Sequence, residues 1–120
     1  MSHAQTIRLA NETDIVLLRM RVRDLARAVG LNLADQARIS LAAGCAAKAI
    51  GLGVTHQGQV TIDHYCRGGN VGVRVVCAGK NGKTDGAPGA LGDARWMVDE
   101  LTCETLGASE AQVTLIKWRT

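Results

Sequence analysis

Phenylalanine is missing from this chain altogether, and its only aromatic side chains are Tyr65, Trp96 and Trp118. Any core must therefore be aliphatic, and the material for one is present, at 47% hydrophobic residues over 120 positions. So few aromatics also argue against a nucleic-acid surface, which stacks bases on rings set among basic residues. Charge points the same way. Fourteen Lys and Arg against 11 Asp and Glu leave a net charge of +3, short of the dense basic face such partners need. No apolar run approaches the ~20 residues of a membrane-spanning helix, so no membrane role is expected. The opening MSHAQTIRLANETD lacks a basic segment followed by an apolar one. No signal peptide is expected, and a cytoplasmic location follows by default.

The four cysteines, Cys45, Cys66, Cys77 and Cys103, form no Cys-x-x-Cys pair and have no histidine at finger spacing, which argues against structural zinc. They read as reduced, buried small hydrophobes. A His–Cys nucleophile through His56 or His64 stays formally open.

The length suits a single domain over residues 1–120. Residues 5–9, QTIRL, alternate polar and apolar as an edge strand does. Asn11, Thr13 and Asp14 are candidate caps for a helix whose apolar face is Ile15, Leu18, Val22, Leu25, Ala26 and Val29, with Gly30 as its stop. Its opposite face carries Arg19, Arg23 and Arg27, either a solvated face or a docking surface suited to carboxylates. A second helix is expected from Leu33 to Leu52, with Asp35 in its first turn and Ala37, Leu41, Gly44, Ala47 and Lys48 at near-helical spacing. Gly51 and Gly53 would end it.

QVTIDHYC and VGVRVVC, residues 59–66 and 71–77, read as a hairpin about the turn RGGN. Residues 78–92 hold glycines at 79, 82, 86, 89 and 92 and the chain's one proline, and read as a loop. Lys80 and Lys83 in that loop could attract an anion. A short helix DARWMVDEL follows, with Trp96 expected in core packing, and then two closing strands. Trp118 would close the sheet's edge or sit in a dimer contact. The order β-α-α-β-β-α-β-β implies an α/β (α+β) two-layer sandwich: an antiparallel or mixed sheet with helices on one face.

The stretch ETDIVLLRMRVRDLARAVGL resembles the first helix of small bacterial serine-protein kinases that act as anti-sigma factors or stressosome switch kinases. DQARIS at 35–40 resembles the start of their second helix, MVDEL at 97–101 the segment after their nucleotide lid, and VTLIKW at 113–118 their last strand. The resemblance implies the histidine-kinase-like (GHKL) ATPase fold, of Bergerat type, here with a shortened lid. In that family the second helix carries a Glu, the general-base candidate, and four residues later an Asn that ligates magnesium. Aligned on DQARI, those positions are Cys45 and Ala49. A thiol is a poor ligand for a hard cation, and a methyl group is none. The family's Asp-x-Gly-x-Gly, whose Asp holds adenine, is replaced by CAGKNG, with Gly79 and Gly82 wrongly spaced and no Asp before them.

The chain thus has no counterpart of the family's base, of its metal ligand or of the Asp that holds adenine. On that pattern the resemblance implies a non-catalytic regulatory switch protein that uses neither ATP nor magnesium. No catalytic, cofactor or metal residue is expected. The family binds a single-domain anti-sigma-factor antagonist, a phosphatase or a sigma factor, and many members are homodimers. Arg19, then Arg23, are the partner-binding positions the resemblance points to. The alternative is a divergent ATP-dependent serine-protein kinase, with oxygen ligands for magnesium supplied by Asp63, Asp85 or Asp93.

Overall fold

The structure is a computed structural model that describes residues 4–52, 57–80, 88–106 and 110–120. Strand β1 (Gln5–Leu9) leads into α1 (Glu12–Val29), and α2 (Leu33–Ala49) follows. Then come β2 (Gly58–Arg67), β3 (Asn70–Lys80), α3 (Pro88–Met97), β4 (Glu100–Leu106) and β5 (Glu110–Trp118).

Local chemistry sets the helix ends. The Asn11 side chain accepts from the Asp14 N–H at 3.2 Å, and the Asp14 carboxylate accepts from the Asn11 N–H at 3.2 Å. This reciprocal capping box satisfies donors that the first turn leaves unpaired. At the other end Gly30 takes φ 102°, a left-handed conformation that favours glycine, and its N–H reaches back to the Ala26 and Arg27 carbonyls. Arg119 adds a side-chain bond of 3.1 Å to the Val29 carbonyl, tying the chain's last residues to the negative end of α1. Asn32 caps α2 through the Asp35 N–H at 2.8 Å.

The sheet runs in the order β1-β2-β3-β5-β4, and every neighbouring pair is antiparallel. This corrects the mixed sheet left open by the element order. Two helices between β1 and β2 carry the chain out and back, so those strands oppose each other. The single helix between β3 and β4 leaves them parallel in direction, but β5 inserts between them and opposes both. Gly68 and Gly69, at φ 58° and 85°, make the expected hairpin turn.

Alternation along the strands puts Val60, Ile62, Val73, Val75, Cys77, Val113 and Leu115 on the face that the helices cover, all fully buried. From α1 come Ile15, Leu18, Val22, Ala26 and Val29, and from α2 Ile39, Ala42, Ala43, Ala46 and Ala47. No aromatic side chain is among these buried hydrophobics. α3 packs against α2 through buried Leu91 and Ala94.

Four boundaries and several burial states differ from expectation. α2 ends at Ala49, not Leu52, with Gly51 at φ 81°; Gly53 lies outside the described residues. β3 continues to Lys80 and α3 begins at Pro88, so only residues 81–87 of the expected loop remain, and they lie outside the described residues. Proline lacks an N–H and has φ fixed near the helical value, which suits a first helical turn as well as a loop. α3 closes at Met97, because β4 already begins at Glu100. Trp96 is 90% exposed rather than packed in the core. Trp118 stands on β5, an interior strand, not at the sheet's edge. Of the cysteines only Cys77 is fully buried; Cys45 is half-buried and Cys66 and Cys103 are exposed. Among the described residues no helix is long and apolar enough to cross a membrane.

Candidate functional site

Cys45 and Ala49 lie one turn apart on α2, both half-buried and packed against the hydrophobic core. α2 is nearly all small or apolar there, with Ala42, Ala43, Gly44, Ala46 and Ala47 buried around them. Neither side chain offers an oxygen to a cation or a base to a hydroxyl. Among the described residues, no three His, Cys, Asp or Glu side chains converge as a metal centre would need. Of the substitute magnesium ligands, Asp93 is exposed and Asp85 lies outside the described residues. Asp63 is committed elsewhere. Its two oxygens accept from Arg74 Nε at 3.0 Å and Nη2 at 2.7 Å, a bidentate pair across β2 and β3. That bond, more than burial opposes it, holds the Arg74 pKa above its ordinary value.

The Asp63–Arg74 pair belongs to a cluster on the sheet face away from the helices. Tyr65 stacks on Trp118 with ring centroids 5.9 Å apart. The Arg74 guanidinium lies 4.3 Å from the Tyr65 ring centroid, and Arg67 lies 5.1 Å from that of Trp118. Arg67 also pairs with Glu100, which accepts from the Trp118 indole N–H at 3.2 Å. Each charge in the cluster already has a partner, so its chemistry is consumed in holding β2, β3, β4 and β5 together. On the helix-facing side of β2, Cys66 Sγ lies 3.8 Å from His64 Nε2, as their two-residue spacing on a strand allows. His56, the other candidate, lies outside the described residues, as does Lys83.

The helical hairpin of α1 and α2 is different, because it presents unpaired groups. Its seam is tight. Ser40 Oγ donates to the Arg19 carbonyl at 2.9 Å, and a Cβ on Gly44 would meet Arg19 Cδ at 3.0 Å. The small residues of α2 therefore admit the aliphatic stem of Arg19 across the seam and leave its guanidinium outside. Arg19 and Arg23 are both exposed, and among the described residues neither guanidinium has a hydrogen bond or ion pair. Arg27, the third of the row, pairs among the described residues with Asp24, at 3.5 Å on the surface.

Exposed apolar side chains accompany the two arginines. Val16 is 56% exposed and Met20 59%, and their spacing from Arg23 and Arg27 places all four in one stripe along α1. Leu41 of α2 is 43% exposed, and its place on the helix next to Ser40 and three residues before Gly44, which both meet Arg19, sets it beside the same seam. The near-helical spacing of Leu41 and Lys48 marks an exposed side of α2, not a buried one. The arrangement is an apolar strip crossing the hairpin with free guanidinium groups beside it, a surface that can bury side chains and clamp carboxylates. Sequence patterning singles out Arg19 and Arg23, passes over Val16 and Met20, and groups Leu41 with Gly44 and Ala47, which are buried. For α1 the signal is there, since Val16 and Met20 fall off the Ile15–Leu18–Val22 face. Neither a scan against known protein families nor a search of curated proteins finds a match for this chain.

Proposed function

We propose that this chain is a non-catalytic regulatory switch protein that works by binding a protein partner through the outer surface of its α1–α2 hairpin. The observation that carries the reading is the coincidence of free Arg19 and Arg23 with exposed Val16, Met20 and Leu41. An apolar centre beside arginines capable of bidentate contacts is the composition of a protein interface, and such anchors dominate its energy. The partner is acidic on the matching face. By the resemblance of the N-terminal helices and the last strand to the anti-sigma-factor and stressosome kinases, it is a single-domain anti-sigma-factor antagonist, a phosphatase or a sigma factor.

The reading makes the domain a degenerate histidine-kinase-like ATPase. Three features support it: the thiol and methyl group at Cys45 and Ala49, the absence of an Asp before Gly79, and the engagement of both Asp63 oxygens by Arg74. Titration calorimetry with ATP and ADP, with and without magnesium, tests whether nucleotide binds. No heat up to millimolar nucleotide is expected, and a micromolar constant overturns the reading. Affinity capture then compares wild type with Arg19→Glu and Met20→Asp. Met20 is exposed, so Met20→Asp keeps the wild-type melting temperature; Arg19→Glu gives up only the packing of its stem at the seam and stays folded; both lose the partner. Equal capture by all three removes this face from the proposal.

A further inference from the structure

The sheet face away from the helices carries a cleft at one end, with a volume of about 540 Å³, inside the range of small-molecule sites. Strand register explains how it arises. Arg8 pairs with Gln59, Gln59 with Ala78, and Ala78 with Gln112, so these four stand in one row across β1, β2, β3 and β5. Residues opposite one another in a ladder point to the same side. Ala78 contributes only a methyl group between two long amide side chains, and so forms the floor of a notch. The cleft opens on the outer face because the inner one is filled. Leu52 is fully buried there, and its Cδ2 would lie 2.6 Å from a Cβ on Gly79.

The chemistry of the row is directional. Arg8, at one end, is exposed, and Glu110 lines the cleft at the other, beside Gln112. Gln57 and Gln59 complete the polar lining. Among the described residues, none of these five side chains has a hydrogen bond or ion pair. Among the described residues, a guanidinium, three amides and a carboxylate thus stand along one antiparallel frame without a protein partner. That sets them apart from the Arg67 and Arg74 cluster farther along the same face, where every charge is paired.

We propose that this cleft binds a short peptide with free ends. Its terminal carboxylate meets Arg8, its terminal ammonium meets Glu110, and its backbone amides meet the glutamine side chains, which match an amide in both donor and acceptor. Length selects this class. Three strand spacings of about 4.8 Å separate β1 from β5, too far for the carboxylate and ammonium of one amino acid and suited to roughly three extended residues. The notch over Ala78 leaves room for the peptide main chain, and a site made of main-chain contacts places little demand on the peptide's side chains. This site is independent of the α1–α2 surface, and it does not rest on the switch reading.

Calorimetric or NMR titration with trialanine tests it, alongside the C-terminally amidated and N-acetylated forms, acetate and free alanine. Trialanine binds wild type, while acetate and alanine do not compete at equal concentration. Amidation weakens binding about ten- to hundredfold, as removal of a charged hydrogen-bonding partner does. Arg8→Gln weakens trialanine by the same factor but leaves the amidated peptide unchanged, and Glu110→Gln does the same for the acetylated form. The blocked peptides act on wild-type protein, so the result stands even where a variant folds poorly. No binding of trialanine at millimolar concentration overturns the proposal, as does equal binding of the free and amidated peptides or full competition by acetate.

Discussion

Replacing Lys117 with methionine removes one charge from the interior of the helix–sheet layer. The side chain is 13% exposed, on the helix-facing side of β5, with its Nζ 3.5 Å from Asp35 and 3.4 Å from Asp99. Asp35, in the first turn of α2, has a side chain only 5% exposed. Asp99 accepts the Trp118 N–H at 2.7 Å, so the lysine couples the start of α2 to the end of β5 and the entry to β4. Methionine keeps the length and apolar stem of lysine. The change therefore reports the charge more than the packing.

Breaking a fully buried ion pair from one side destabilises by about 3–5 kcal/mol. Here Asp35 keeps a second partner, Arg38 at 2.9 Å, though that side chain is 54% exposed. The helix N-terminus also favours its charge. A cost of about 1–3 kcal/mol is expected from the partial burial and the surviving partner. For a domain of this size it corresponds to a fall in Tm of about 4–12 °C. The assay is urea unfolding followed by circular dichroism, on wild type, Lys117→Met, Asp35→Asn and the double variant. Asp35→Asn removes the charge that Lys117 answers, so the lysine change costs less in that background, with a coupling near 1 kcal/mol or more. Because the pair is shielded from solvent, about 1 M salt should leave most of that coupling intact. If Lys117→Met melts at or above the wild-type temperature, or the two changes simply add, the reasoning is refuted.

Burial pushes the Cys77 thiol up from its ordinary 9.0 to about 12. The folded protein therefore holds this proton more tightly than the unfolded chain does. The associated stability is complete below about pH 9 and is lost as pH rises toward 12, at no more than about 1.4 kcal/mol per pH unit. Urea unfolding at a series of alkaline pH values should show that fall in wild type and a shallower one in Cys77→Ala. Native-state alkylation at neutral pH, read by mass spectrometry, should modify Cys66 and Cys103 first and reach Cys77 only on unfolding, since the exposed thiols meet the reagent directly. On α2, Cys45→Glu with Ala49→Asn puts polar groups against the core cluster and is expected to destabilise by about 1–3 kcal/mol. Unchanged or raised stability in the double variant contradicts the view of α2 as a helix shaped for packing alone.

What can be read from the sequence is local. The capping box of Asn11 and Asp14, the Gly30 stop and the Gly68–Gly69 turn each depend on residues within four of one another, and each appears in the fold. The buried stripe of α1 is legible because its polar and apolar residues contrast sharply. α2 offers no such contrast. With alanines on almost every side, its periodicity cannot be phased, and spacing groups Leu41 with residues that are buried. Trp96 misleads for a related reason, since α3 is short and built of glycine and alanine around it. Pro88 reads as a loop residue, yet its fixed φ serves a helix start equally well. The partners of Tyr65 and Arg74 are out of reach, because Tyr65 meets Trp118 only through the register of three strands. The arginines of the candidate interface are visible as a row. Their freedom from partners and the apolar strip beside them need the hairpin's seam to be known.

The position of β1 has a consequence for the order of assembly. β2 and β3 join through a two-residue turn, whereas Ile7 must find Val60 across more than fifty intervening residues. Closing a long loop carries an entropic penalty that short hairpins avoid, and contacts of this range set the pace of folding. During synthesis β1 emerges first, yet it has no strand to pair with until both helices and β2 have been made. Its pairing closes the longest loop of the four ladders, and as a five-residue edge it is the first strand to detach. Arg8 leaves and returns with it. The row that lines the cleft is therefore complete only while the N-terminal strand stays paired, and a ligand bridging Arg8 to β5 would slow amide hydrogen exchange in β1 more than anywhere else in the sheet.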